Sequence, residues 1–218
     1  PRPSTIQDNK FYAVEVALLS RNIVLQGKEP EEQRPLHGAH MTVFHTPEVV
    51  QRIEGVEFRN FGQQGVRGRY PIHFEFCGDV SGSIVSKNTI RQSKQRCVVV
   101  HGTDNLSVDG NVAFDTAGHC YVIDGGMETG NVFSNNLGAM TRPVEHLMTQ
   151  YGVSGKETDE TPSTFWMANP SNSWSGNVAA GSHSSAYWLE LRNEHPAPHW
   201  HESLEMNLSP LHHPPPTA

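Results

Sequence analysis

No apolar run in this chain approaches the roughly 18 residues that cross a bilayer, so no membrane segment is expected. No signal-peptide pattern opens it. The first residue is Pro1 rather than an initiator methionine, and we read the chain as a piece of a longer protein. The three cysteines, Cys77, Cys97 and Cys120, form no CxxC pair, which argues against a zinc knuckle. A leucine ladder is missing, and with it the leucine-rich repeat. Paired helices would need a 3.6-residue period, whereas Val98, Val99 and Val100 are β-branched throughout. Aromatic residues are only 8% of the 218, and no Lys/Arg excess marks the whole chain, whose net charge is −7.

What the chain does have is a repeat. Asn88 to Gly102 and Asn111 to Gly125 follow one pattern 23 residues apart. Asn88 falls on Asn111, Ser93 on Thr116, Cys97 on Cys120 and His101 on Asp124. A third copy starts at Asn177, with Ser182 on Thr116 and Ala186-Tyr187 on Cys120-Tyr121. A period in the low twenties with short strands and Asn/Gly turns predicts an all-β solenoid, a three-faced parallel β-helix. The stacked asparagines are expected to form a turn ladder, because Asn tolerates left-handed backbone. Cys97 and Cys120 should lie one strand spacing apart and point the same way, which favours stacked free thiols over a disulfide.

Residues 11–25 read as two short strands, with further strands at 40–44, 53–58 and 70–76. The β-helix is expected over 1–192, with an irregular excursion at 141–162. A Pro/His-rich tail at 193–218 is expected to be poorly ordered. Asn105 and Asn207 head N-x-S sequons, which matter if the chain is secreted. Trp166, Trp174 and Trp188 are expected to pack rather than to stack on sugars. Of His37, His40 and His45, only His40 is kept as a contributor, and the histidines from His195 to His213 are read as tail composition.

Strand alternation turns the repeat into a site. With Val98 and Val100 inward, Cys97, Val99 and His101 point out. On the next coil Tyr121 and Ile123 are inward, leaving Cys120, Val122 and Asp124 outward. On the preceding coil Ile72, Phe74 and Phe76 are inward, leaving His73 and Glu75 outward. Alignment then stacks Glu75, His101 and Asp124, with His73 beside them and Arg96 and His119 at equivalent positions where the strands begin. Imidazoles and carboxylates this close suit acid–base catalysis or a divalent metal, so His73, Glu75, His101, His119 and Asp124 are the catalytic candidates. His73, Glu75 and His101 are the candidate metal ligands; spacing does not choose between Zn, Mn and Ni. Seven basic residues between Arg59 and Arg96 face only Glu75 and Asp79 in that span, which points to an anion-binding patch. Arg69, Arg91, Lys94 and Arg96 are its candidate substrate-binding residues.

Several of these segments carry a family resemblance. GRYPIHFEFCGDV (68–80), RCVVVHGT (96–103), GHCYVIDGG (118–126) and STFWMANPSN (163–172) resemble the cell-migration-inducing, hyaluronan-binding protein family. EVALLSRNIVLQG (15–27) and EGVEFRNFGQQG (54–65) match as well, so the resemblance covers roughly residues 11–192. Fibrocystin-like proteins share part of the pattern. The resemblance implies a right-handed parallel β-helix, an extracellular or cell-surface location, and an upstream G8-type domain in the full-length protein. It also implies binding or depolymerisation of hyaluronan, by a hydrolase or a lyase. No nucleic-acid partner is expected. Where relatives commonly read Pro-Ile-His-Phe-His, this chain has Glu75 in place of the second histidine. The residues associated with hyaluronidase activity in the family lie in the G8 region. Two functions therefore stand side by side: a polysaccharide-active module, or a non-catalytic glycan-binding or adhesion segment.

Overall fold

Short β-branched and aromatic runs separated by Asn and Gly turns give strands and no helices among the described residues of the computed structural model, which are 14–28, 35–46, 49–148 and 158–190. None of these residues belongs to a helix long and apolar enough to cross a membrane. The strands form three parallel sheets. The first holds β1 (Ile23–Gln26), β4 (Val56–Arg59), β7 (Thr89–Arg91), β10 (Val112–Ala117), β13 (Leu137–Arg142) and β16 (Val178–Ala180). The second holds β2 (Thr42–Phe44), β5 (Ile72–Asp79), β8 (Val98–Asp104), β11 (Tyr121–Ile123), β14 (Ser163–Met167) and β17 (Ser185–Leu189). The third holds β3 (Arg52–Glu54), β6 (Ile84–Ser86), β9 (Ser107–Asp109), β12 (Val132–Ser134) and β15 (Ser173–Ser175). Every strand pairs with the one three places along, so each coil contributes one strand to each sheet, the architecture of a parallel β-helix.

The chain bends between sheets at left-handed residues stacked in columns. Gly55, Lys87, Gly110, Asn135 and Gly176 form one such column, and Asn60, Gln92, Asp115, Met140 and Gly181 another, all with φ between 53° and 69°. The ladder asparagines are not the left-handed residues expected of them; each follows one. Their work is hydrogen bonding. Asn88 donates from its backbone N and from Nδ2 to Asn111 Oδ1, both at 3.0 Å. Asn111 does the same to Asn136, and Asn136 to Asn177. The spare Nδ2 hydrogen goes to a carbonyl of the coil below, as from Asn111 to Val85 O at 2.8 Å. Asn131 and Asn172 repeat the device at the next corner. The chain separation between rungs is 23, then 25, then 41 residues, so the 23-residue period is one spacing and insertions fall between strands.

Ile72, Phe74, Val98, Val100, Tyr121, Ile123 and Phe165 fill the interior of the second sheet, as alternation requires. Three further expectations fail at this level. Cys97 and Cys120 precede their strands and join the interior core rather than the outer face; their Cα atoms are 4.5 Å apart and they form a disulfide. Adjacent in-register coils thus bring the two thiols within bridging range even though parallel side chains point the same way. Phe76 is not inward either. A register shift between Glu75 and Gly78 and a left-handed Phe76 send its ring outward, and the buried free Cys77 takes the inward place. Finally, residues 14–25 yield only β1, and residues 11–13 lie outside the described set, as do the tail at 193–218, Asn207 and the histidines from His195 onward. Trp166 and Trp174 pack, the latter stacked on Phe133 at 4.2 Å, while Trp188 is partly exposed.

Replacing Asn111 with Ala strips Asn88 N, Asn88 Nδ2 and Val85 O of their partners inside the corner. Two or more buried groups left unpaired are expected to cost about 2–4 kcal/mol, read as a lowered urea midpoint. An unchanged midpoint would mean that the ladder is ornamental.

Candidate functional site

The outer face of the second sheet is not open to solvent along its length. Tyr70, Val99, Val122, Met148, Trp166 and Ala168 form a second apolar cluster on it. Residues of the 141–162 segment help to close this face. Gln64 Oε1 accepts from Glu145 N and His146 N, Tyr70 Oη donates to Met148 Sδ, and Asp159 is wholly buried. The polar candidates sit at the edge of this cover.

Parallel pairing sets Glu75 of β5 level with His101 of β8, as alternation predicts. Ligand atoms of His73, Glu75 and His101 all lie within 4.8 Å of one another. His73 is 2% exposed, and its Nδ1 stands 3.2 Å from Gly68 O. A carbonyl only accepts, so Nδ1 carries the hydrogen and Nε2 the lone pair. Burial, reinforced by nearby His101, depresses the His73 pKa to about 3, so the ring is neutral across the physiological range. Glu75 is half-buried; desolvation raises its pKa, and Arg67 and Arg69 oppose the shift. His101 lies under the outturned Phe76 ring at 4.7 Å. Gly125 is required beside it, since a Cβ there would stand 3.0 Å from His101 Cδ2 and 2.2 Å from Glu128 Oε1.

Asp124 hydrogen-bonds through its backbone to Val100 O, so it follows His101 in the stack. Its carboxylate is engaged by Arg96 Nη1 at 3.2 Å. Arg96 is 3% exposed, lies over the Tyr70 ring and also binds Asp159 Oδ2 through Nε and Nη2. It is therefore a buried strut and not a surface contact for substrate. His119 is removed from the cluster as well. Ser163 N donates to its Nδ1 at 2.9 Å, which leaves Nε2–H to donate to Thr158 Oγ1 at 2.7 Å. Buried and fully engaged, with a pKa lowered by desolvation to about 4, His119 holds the 158–163 segment in place.

The four basic candidates do not make one patch. Arg69 lies by the cluster, hydrogen-bonded to His40 Nε2, so the retained His40 is a neighbour of the site. Arg91 belongs to the first sheet and contacts Glu57. Lys94 lies at the corner beyond it, where its backbone bonds Phe61 O. Three residues were missed. Arg67 was visible in the basic run. Glu128, buried and accepting from Gly102 N, Gly125 N and Met127 N, holds the loop under His101; its carboxyl pKa is raised, chiefly by burial. Asp159 lay inside the segment read as irregular. Neither carboxylate had a motif to announce it.

The family described as CEMIP beta-helix matches residues 36–214. A cell surface hyaluronidase of Danio rerio is 34% identical over 221 aligned positions, covering 86% of this chain and 16% of the relative. The Homo sapiens protein named cell surface hyaluronidase CEMIP2 is 32% identical over 222 positions, covering 87% of this chain and 16% of itself. A G8 domain-containing protein of Dictyostelium discoideum is 32% identical over 183 positions, 79% of this chain and 12% of its own length. The chain thus spans less than a fifth of each of these relatives. Its three-sheet solenoid and the extent of these matches agree: the chain belongs to the CEMIP beta-helix family.

Proposed function

We propose that this chain is an extracellular or cell-surface β-helix module that binds an anionic glycan at the His73–Glu75–His101 cluster. The substrate class follows from the relatives named hyaluronidases, and hyaluronan is the first ligand to test. The observation that carries the reading is the convergence of two imidazoles and a carboxylate from adjacent coils to within 4.8 Å, beside Arg67 and Arg69. In this reading the two arginines take glycan carboxylates, for which the planar guanidinium fork is suited.

The donor set favours a divalent metal over proton transfer by His73. An imidazole with a pKa near 3 has no proton to give at neutral pH, but it is a competent neutral ligand. Its Nδ1 stands 3.2 Å from Gly68 O and also 3.9 Å from Glu75 Oε2, so ligation through the lone pair on Nε2 would need the ring to turn toward the ion. A spread of 4.8 Å exceeds the roughly 3.4 Å between tetrahedral ligand atoms at zinc-like bond lengths, so small side-chain movements complete the set. His73, Glu75 and His101 would hold the ion, with Asp124 committed to Arg96. A metal bound there supplies a Lewis acid for a uronate carboxylate or for water. An upstream G8-type domain and cleavage of the glycan, by hydrolysis or by elimination, belong to the same proposal. The alternative is binding without turnover, favoured by the absorption of Asp124, His119 and Arg96 into structural contacts.

Metal analysis of the purified chain is expected to find about one divalent ion, lost in His73→Ala and His101→Ala while the fold persists. A metal-free parent that also fails to take up zinc or manganese would overturn the metal reading. Metal retention should fall on acidification above the usual carboxylate range, because Glu75 must be ionised to ligate and burial raises its pKa. Titration with a chelator across pH 4–7 reads this. If the parent depolymerises hyaluronan, His101→Ala should abolish turnover and leave binding within a few-fold; a parent that binds without turnover is the non-catalytic module.

A further inference from the structure

The outer face of the first sheet carries a second arrangement suited to an acidic polysaccharide. Its inward residues are Phe58, Ile90 and Ala113, so Arg59, Arg91 and Phe114 point outward. These three are in register on consecutive coils, and Ala139 and Ala180 continue the same row. A parallel row of partly buried Val112, Leu137 and Val178 runs beside it.

Two guanidiniums on neighbouring strands stand about one strand spacing, ~4.8 Å, apart at their Cα atoms and repel one another. A single carboxylate lies between them. Glu57 Oε1 accepts from Arg59 Nε and Nη2 and from Arg91 Nη1, and Glu57 Oε2 accepts from Arg21 N. One negative charge against two leaves the pair with a surplus positive charge. The side chains of Arg59 and Arg91 remain 33% and 29% exposed, so the surplus is presented outward. Arg91 Nε is shielded from solvent and has no hydrogen-bond partner among the described residues. The next ion pair along the sheet, Arg142 with Asp115, is internally balanced and adds no net charge.

We propose that Arg59, Arg91 and Phe114 form a second glycan-binding face, in which the arginines take a uronate carboxylate and Phe114 stacks on the next sugar ring. Residues repeating at the strand spacing along the solenoid axis suit a linear polymer lying along that axis. Small residues at Ala139 and Ala180 leave its path clear. This inference rests on the glycan-binding reading given above, but uses a different sheet and different residues.

Hyaluronan oligosaccharides, polyglutamate and dextran sulfate, a sulfated glycan without uronate, are titrated into the parent chain, Arg91→Gln, Phe114→Ala and Arg67→Gln/Arg69→Gln. Arg91→Gln leaves the Arg59–Glu57 pair intact, so it should fold, and thermal unfolding checks this. The expected result is a fall of about 5- to 10-fold in hyaluronan affinity for Arg91→Gln and for Phe114→Ala, with metal content unchanged. The salt dependence of binding should also weaken in Arg91→Gln. Folded variants that bind like the parent overturn the second face. Weakening only in Arg67→Gln/Arg69→Gln does the same while sparing the first reading. Weakening only in Arg91→Gln and Phe114→Ala keeps this face and overturns the binding role of the first. A parent that prefers dextran sulfate or polyglutamate to hyaluronan overturns the uronate assignment.

Discussion

Everything in this fold depends on coils stacking in register, and the buried asparagine ladder enforces that register. A strand that slips by one residue against its neighbour exchanges its inner and outer faces. Here the slip is opposed at each corner, because Asn111 Oδ1 accepts two bonds from Asn88 while its Nδ2 serves Asn136 Oδ1 and Val85 O. All these groups are buried, so a displaced rung would leave unpaired polar atoms that water cannot reach. The tolerance lies between the corners. Separations of 23, 25 and 41 residues connect successive rungs without altering the rungs themselves.

Once register is fixed, side chains acquire vertical neighbours, and chemistry follows from who stacks on whom. Glu75 meets His101 for the same reason that Ile72 meets Val98. The bulge after Glu75 adds what strict stacking cannot, by turning Phe76 out over His101. That ring, the buried His73 and the nearby apolar cluster lower the local polarity. Low polarity keeps His73 neutral and raises Glu75, and both shifts trace to desolvation before any charge.

Much of this was legible in the sequence, and the failures have a common cause. The 23-residue repeat disclosed the architecture, and the Val98–Val100 alternation gave the Glu75–His101 pairing. Alternation, however, holds only inside strands. Cys97 and Cys120 precede their strands and Phe76 sits at a bulge, so the rule misplaced all three. The basic run misled in another way. Residues close in sequence are carried to different faces by the coil, so Arg69, Arg91 and Arg96 ended beside the cluster, on another sheet and buried against Asp159 of the insertion. Glu128 and Asp159 act through long-range contacts for which no local pattern exists.

Asp159 shows why the insertion and the site are one electrostatic unit. A carboxylate with no solvent exposure is tolerable only when its oxygens are engaged, and Asp159 accepts from Gln95 Nε2, Arg96 and His119 N. Arg96 in turn is buried, and its charge is balanced by Asp159 on one side and Asp124 on the other. Taking Asp159 away would leave Arg96 with Asp124 alone, and taking Arg96 away would leave two buried carboxylates facing each other. Asp124 exerts its charge on both His73 and Glu75. The 158–163 segment therefore acts on the cluster without touching it, by holding the arginine that restrains Asp124. The insertion that looked irregular in the sequence is held to the coil stack by a chain of buried charges that ends at the site.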